Sequence, residues 1–320
     1  MTIDLKDLVV RYPRGEPERS RPDGTAGQPG SERSGELAKA KRPGDAVKGL
    51  SLSVTAGRCH ALLGRNGAGK TSTMRALLGL LRPERGTVRL FGLDPMKHEA
   101  AVKERLAWVP DVPGFHPWMT VAETLAWSAA LRTRWNQDVQ AHLLTRFDLD
   151  VTAPTHALSR GQKTQLALVC ALAADPELLV LDEPTSGLDP LVRKQFLEAV
   201  VGVFQDREPQ KKTILLSTHL ISEFEGVVDG FTVMSEGRAV LTIEADEARA
   251  RFCRLRAWFD GEAPQSVPMK TVRPLKREGR MLEFVVESAS DEAQGWLKGA
   301  GAARVDASAL TLEDIFLLAA

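Results

Sequence analysis

Residues 59–71 read Cys59-His-Ala-Leu-Leu-Gly64-Arg-Asn-Gly-Ala-Gly-Lys70-Thr71, and this stretch decides the fold. Cys59–Gly64 is a short apolar run, the pattern of a strand covered on both faces of a sheet. Gly64–Thr71 has the spacing GxxxxGK[ST]. Beyond it, Met74, Leu77, Leu78 and Leu81 fall at i, i+3, i+4 and i+7 and predict a helix with one buried stripe. The glycines let backbone N–H groups curl around phosphate oxygens, and the helix N-terminus favours negative charge there. In such a loop Lys70 reaches the β- and γ-phosphates and the Thr71 hydroxyl helps to hold Mg²⁺.

Working outward, Leu178–Asp182 and Thr213–Ser217 are equally apolar and read as further buried strands. The first ends in Asp182-Glu183, which puts two carboxylates at the C-terminal edge of the sheet, where α/β folds bind ligands. Asp182 suits Mg²⁺, and Glu183 is then free to polarise an attacking water. Leu158-Ser159-Arg160-Gly161-Gln162-Lys163 precedes a long apolar helix over Thr164–Ala174. Ser159 and Gln162 have capping-box spacing, so this is another helix N-terminus suited to an anion. Asp189-Pro190 supplies an N-cap and a first-turn proline for a helix running to about Phe204.

Strands alternating with helices predict a mostly parallel sheet. The region about 112–175 is mainly helical, with a capping box at Thr120 and Glu123 and a stripe of Val139, Leu143, Leu144 and Phe147 after Asp138. Ile3–Tyr12 reads as a strand. Residues 13–45 hold five Pro and six Gly but one large aliphatic, Leu37, too little apolar surface to offset ordering, and read as a disordered insertion. After about Leu241 the character changes. Strands at Arg254–Phe259 and Met281–Glu287, a helix at Asp291–Lys298 and an amphipathic segment at Leu312–Leu318 suggest a small α+β unit over 241–320, behind a main domain over 1–240.

The 320 residues are 43% hydrophobic with 42 basic and 42 acidic side chains, which excludes a wholly disordered or fibrous chain. Zero net charge argues against bulk electrostatic binding of nucleic acid. The longest apolar run, Leu166–Ala174, is far below the roughly 20 residues of a membrane span. Met1–Val10 lacks the basic-then-apolar order of a signal peptide, and Cys59, Cys170 and Cys253 are widely spaced. The expectation is a soluble cytosolic chain with reduced thiols.

In order and spacing, these segments resemble the nucleotide-binding subunits of ABC transporters. GRNGAGKT resembles the Walker A loop, LSRGQ the signature, and LLVLDE the Walker B strand. Ser186-Gly187-Leu188-Asp189 resembles the D-loop, and Ser217-Thr218-His219 the switch-histidine segment. The resemblance covers about residues 46–240 and implies a P-loop NTPase core, an antiparallel β subdomain and an inserted helical subdomain. It further implies that ATP contacts Gly64, Arg65, Asn66, Gly67, Ala68, Gly69, Lys70, Thr71 and Ser72, with Tyr12 stacking on adenine. Glu183 and His219 would be catalytic, His219 bonding the γ-phosphate, and Mg²⁺ would sit with Thr71, Asp182 and Asp111. Ser159, Arg160, Gly161 and Gln162 would serve the nucleotide of a paired ATPase subunit, and Asp189 would couple the two sites.

Two positions depart from the family pattern. Asp111 stands where the family usually has a Gln that touches Mg²⁺ and relays nucleotide state; a carboxylate cannot donate the amide hydrogen bond. Tyr12 is followed at once by Pro13 and the insertion. One uninterrupted cassette favours a transporter subunit over a soluble ABC ATPase acting on ribosomes or DNA. The SRGQK segment, Asp111 and the ending Thr311-Leu-Glu-Asp-Ile-Phe316 resemble exporter subunits, which work beside a separately encoded transmembrane permease on the inner face of the cell membrane. Four of six Trp (108, 118, 127 and 135) lie in or beside the helical region; Trp127 is expected in its core, and Phe115 and Trp118, in the loop VPGFHPW, against the permease.

Overall fold

The structure, a computed structural model, describes residues 1–12, 45–205, 211–272, 275–288 and 290–319. Three strands with every side chain buried, β3 (Cys59–Leu63), β6 (Leu178–Asp182) and β7 (Thr213–Thr218), lie within a six-stranded sheet. Its order is β5-β6-β7-β3-β8-β9, with β5 at Leu106–Val109, β8 at Gly230–Ser235 and β9 at Arg238–Glu244. All neighbours are parallel except β8 and β9. Side chains alternate between two cores, as strand geometry demands. Ala61, Leu63, Leu179, Leu181 and Leu216 face one; Leu62, Val180 and Leu215 face the other.

The second core is closed by a three-stranded antiparallel sheet in which β1 (Ile3–Arg11) lies between β2 (Asp45–Val54) and β4 (Arg85–Leu90). Helix α1 (Lys70–Leu77) is held between the two sheets by the fully buried Met74 and Leu77. It is shorter than its sequence stripe suggests. Gly79 adopts φ 72°, and the amides of Gly79 and Leu80 turn back onto Ala76 O (3.1 Å) and Arg75 O (2.9 Å), ending the helix before Leu81. The expected insertion lies outside the described residues except for Asp45, which opens β2 and accepts a 2.6 Å hydrogen bond from Arg11.

The helical region comprises α2 (Glu99–Glu104), α3 (Val121–Ala130), α4 (Gln137–Phe147) and α5 (Arg160–Ala173). Both expected capping boxes form, at Thr120 and at Ser159, whereas α4 is capped by Asn136 rather than started by Asp138. Asp189 caps α6 (Pro190–Ala199), which gives way to π-helical backbone at Val200–Gln205 instead of running on as α-helix.

The change of character falls at Ala245, not Leu241, because β9 pairs with β8 in the large sheet. Helix α7 (Ala245–Arg251) leads into a four-stranded antiparallel sheet. Its order is β11 (Lys276–Glu278), β12 (Met281–Glu287), β10 (Phe252–Phe259) and β13 (Ala302–Ala309). With α8 (Ser290–Gly299), this sheet buries its own cluster around Leu255, Phe284 and Leu297. Helix α9 (Leu312–Ala319) instead returns to the main core, packing on α7 and on the turn Ile221–Phe224. Leu312 and Ile315 are fully buried there, and the Leu312 amide donates to Glu225 Oε1 at 3.0 Å. Ile315→Ala should therefore lower stability by about 2–5 kcal/mol, the cost of emptying a packed core site. Denaturant unfolding measures it; a loss below about 0.5 kcal/mol, the range of ordinary surface substitutions, would mean that α9 docks loosely.

Candidate active site

Parallel register brings the chemistry together. Leu63 pairs with Thr218, and Asp182 with Ser217, so the next residues of the three strands, Gly64, Glu183 and His219, leave the same sheet edge. The loop from Gly64 wraps tightly. Gly69 (φ 107°) leaves no room for a side chain, since a Cβ there would lie 2.5 Å from Ala46 O. The β8–β9 turn supports the loop from behind through the Gly237 amide, which donates to Ala68 O at 3.0 Å. Arg65, Asn66 and Gly67 form its exposed tip, while Lys70 and Ser72 are buried.

Lys70 Nζ donates to Gly64 O at 2.6 Å and pairs with Glu183 Oε1 at 2.9 Å. His219 Nδ1 donates to the other carboxylate oxygen at 2.8 Å. Glu183 thus lies between one hydrogen-bond donor, His219, and one ion-pair partner, Lys70, with Oε1 accepting no hydrogen bond, on a backbone at φ 46° that non-glycine residues seldom adopt. Ser217 stabilises that geometry: its carbonyl accepts from the Glu183 amide at 2.9 Å. The Ser217 hydroxyl bonds Asp182 Oδ1, which Thr71 Oγ1 also approaches at 3.5 Å. Asp182 is 3% exposed. Burial pushes its carboxyl up from the ordinary value, and the negative charges of Glu183 and Asp111 add to this.

A desolvated carboxylate beside a threonine hydroxyl fits a hard divalent cation, which prefers oxygen ligands and keeps waters and phosphate oxygens in its shell. No cluster of three or more acidic, His or Cys side chains suited to a metal exists among the described residues. Asp111 is not drawn into the Thr71–Asp182 pair; its carboxylate accepts from Arg160 Nη2 at 3.1 Å.

Elsewhere, the Tyr12 hydroxyl lies 3.2 Å from Ser72 Oγ, which places the aromatic beside the loop helix. Ser159 and Gln162 satisfy one another in their capping box, and Asp189 Oδ1 accepts from the Leu191 and Val192 amides, both at 3.1 Å. Ser217, named in the sequence only within the strand Thr213–Ser217 and the segment Ser217-Thr218-His219, is the residue that touches both Asp182 and Glu183.

A second feature lies along the helical region. A groove of about 540 Å³ is lined by Trp108, Phe115, His116, Trp127, Leu131 and Trp135 among others. His116 stacks on Trp118 at 4.9 Å and meets Trp127 edge-on at 5.7 Å. Trp127 does not fill the core as expected: it is 49% exposed, and Trp118 is 73% exposed. Exposed, clustered aromatics of this kind mark an interaction surface.

The state of Asp182 gives a signed expectation. A carboxyl whose folded pKa is raised costs stability once ionised, so stability falls as pH rises through that pKa. Asp182→Asn keeps the acceptor oxygen and removes the charge. It should raise the melting temperature of the chain at pH 7 in the absence of divalent cations, and remove any further rise on adding Mg²⁺. A lower melting temperature would show that the hydrogen bonds outweigh the desolvated charge.

Comparison with known proteins converges on this geometry. A family model described as ABC transporter matches residues 47–186. The chain is 38% identical over 207 residues to the Nod factor export ATP-binding protein I of Burkholderia orbicola, covering 62% of this chain and 67% of that one. It is 33% identical over 225 residues to the bacitracin transport ATP-binding protein BcrA of Bacillus licheniformis, covering 68% and 70%. A solved structure of an ATP binding subunit of an ABC transporter superposes with a TM-score of 0.61 at 25% identity, covering 78% of this chain and 92% of that one. No described helix is long and apolar enough to cross a membrane. With the phosphate loop, paired carboxylates and switch-type histidine at one sheet edge, the chain belongs to the ATP-binding subunits of ABC transporters, whose ATPase cassette it carries.

Proposed function

We propose that the chain binds Mg²⁺-ATP at Gly64–Thr71 and hydrolyses it with Glu183 as the water-activating base, powering export through a separate membrane-spanning permease. The observation that carries this reading is the placement of Glu183 between Lys70 and His219. Lys70 brings a buried positive charge to the loop, and a triphosphate competes with Glu183 for it. Once Lys70 turns to phosphate, the Glu183 carboxylate is free to orient a water and take its proton. His219, tied to Glu183 through Nδ1, keeps Nε2 as its second polar atom, the one to meet a γ-phosphate. Thr71 and Asp182 would hold Mg²⁺, which supplies neutralisation of phosphate charge. Ser72 fixes Tyr12 where its ring can stack on adenine, a contact typically worth about 1–3 kcal/mol.

The chain has one phosphate loop and one signature-type helix end, Ser159–Gln162. Two subunits facing each other would complete both sites, with Asp189 at the joint. The aromatic groove suits the permease's cytoplasmic helices, which would hold the subunit on the inner membrane face. A relative named for Nod factor export supports the exporter direction, and one named for bacitracin transport supports the role in transport.

Glu183→Gln should retain ATP binding and lose hydrolysis by roughly 10²–10⁴-fold, the range for removal of a general base. Lys70→Ala should instead weaken nucleotide binding, measured by equilibrium binding of a fluorescent ATP analogue. Near-parental turnover in the Gln variant would refute the role of Glu183. Separately, Trp118→Glu should abolish co-purification of the chain with its permease from detergent-solubilised membranes. Undiminished recovery would place the permease contact elsewhere.

A further inference from the structure

Arg160 sits in the segment that the resemblance assigns to a partner's nucleotide, yet its guanidinium is engaged within its own chain. Nη2 donates to Asp111 Oδ1 at 3.1 Å. The planar group also lies against Gly187, where an added Cβ would come 2.9 Å from Nη1 and 3.2 Å from Cζ. One side chain therefore joins three segments: the N-terminus of α5, the loop after β5 and the loop between β6 and α6. The first of these is the capped helix end; the second carries a carboxylate whose charge is felt at Asp182.

We propose that Arg160 is a positioning residue acting in cis, pinning the α5 N-terminus to Asp111 and Gly187, and that Asp111 exchanges this pin for the cation when Mg²⁺-ATP occupies the Thr71–Asp182 site. The physical grounds are threefold. Arginine at the first position of a helix opposes the positive end of the helix dipole, and Asp111 offsets that repulsion. The pair is partly exposed, 48% for Arg160 and 41% for Asp111, so it is weak enough for a nearby divalent charge to compete. Release leaves an uncompensated guanidinium at a helix N-terminus, a better hydrogen-bond donor to an anionic phosphate facing it. Occupancy of one nucleotide site thereby strengthens the surface that serves the other. The exchange takes the place of the amide relay that Asp111 cannot perform.

This inference rests on the reading of the site as one for Mg²⁺-ATP, and the test separates the two. ATP binding would be followed by a fluorescent nucleotide at nanomolar concentrations of the full chain carrying Glu183→Gln, over a Mg²⁺ titration. Adding Arg160→Gln should lower the Mg²⁺ midpoint for ATP binding two- to fivefold, because Asp111 no longer has to leave a partner. Arg160→Lys, which keeps the charge without the planar fork, should lie between. Asp111→Asn should raise the midpoint, and the double variant should match Asp111→Asn alone. A merely structural role for Arg160 predicts an unchanged or higher midpoint. Either of those results overturns the proposal, as does a double variant that keeps the Arg160→Gln effect. ATP binding that neither needs Mg²⁺ in the Glu183→Gln chain nor falls in Lys70→Ala would overturn the site reading itself, a result the Arg160 variants cannot produce.

Discussion

The parallel pairing of β6, β7 and β3 is the constraint on which everything else depends. Each strand is apolar on both faces, so each must be covered twice, and helices and a second sheet are recruited to do it. Because the pairing is parallel, the polar residues that end each run leave at the same edge. A one-residue slip would reverse which side chains face which core and would separate Ser217 from Asp182. Core packing therefore fixes the register, and the register fixes the chemistry. Glu183 shows the cost: its left-handed backbone is tolerated because Ser217 receives its amide.

Much of this was readable from residues alone, for a definite reason. Buried strands and capped helices leave local marks: β3, β6 and β7 as apolar runs, α3 and α5 as capping boxes, the phosphate loop as glycine spacing. Where the deciding contact is distant in sequence, the marks fail. Stripe periodicity carried α1 to Leu81, but Gly79 ends it four residues earlier, at Leu77. Strand β13 (Ala302–Ala309) is an edge strand with mostly exposed small residues, so no alternation announces it. Trp127 was assigned to a core by residue type, yet its helix turns it toward His116 and solvent. The ends of β3, β6 and β7 that carry Gly64, Glu183 and His219 were legible as motifs, but side-chain partners were not: Arg160 meeting Asp111 spans 49 positions, and no local pattern encodes it.

The two ends of the cassette are buttressed differently. At the phosphate loop, support is backbone: Ala46 O and the Gly237 amide leave no slack around Gly69 and Ala68. At the helical region, support is side chain, through capping boxes and a partly exposed ion pair. Beneath both lies one core, in which Val121, Leu125, Leu143 and Leu168 of the helical region pack with Leu63, Leu181 and Leu216 of the central strands.

The docking of α9 bears on how the chain comes to be folded during synthesis. Ile221, Phe224 and Ala248 are made well before Leu312 and Ile315, yet all are buried together. While the four-stranded sheet between them is still being translated, that apolar patch has no cover. A nascent chain thus carries a complete phosphate loop and an open hydrophobic seam at once, a species prone to aggregate and suited to a chaperone's grip. The main core of the cassette is closed late, after the phosphate loop and its neighbouring strands have already been made.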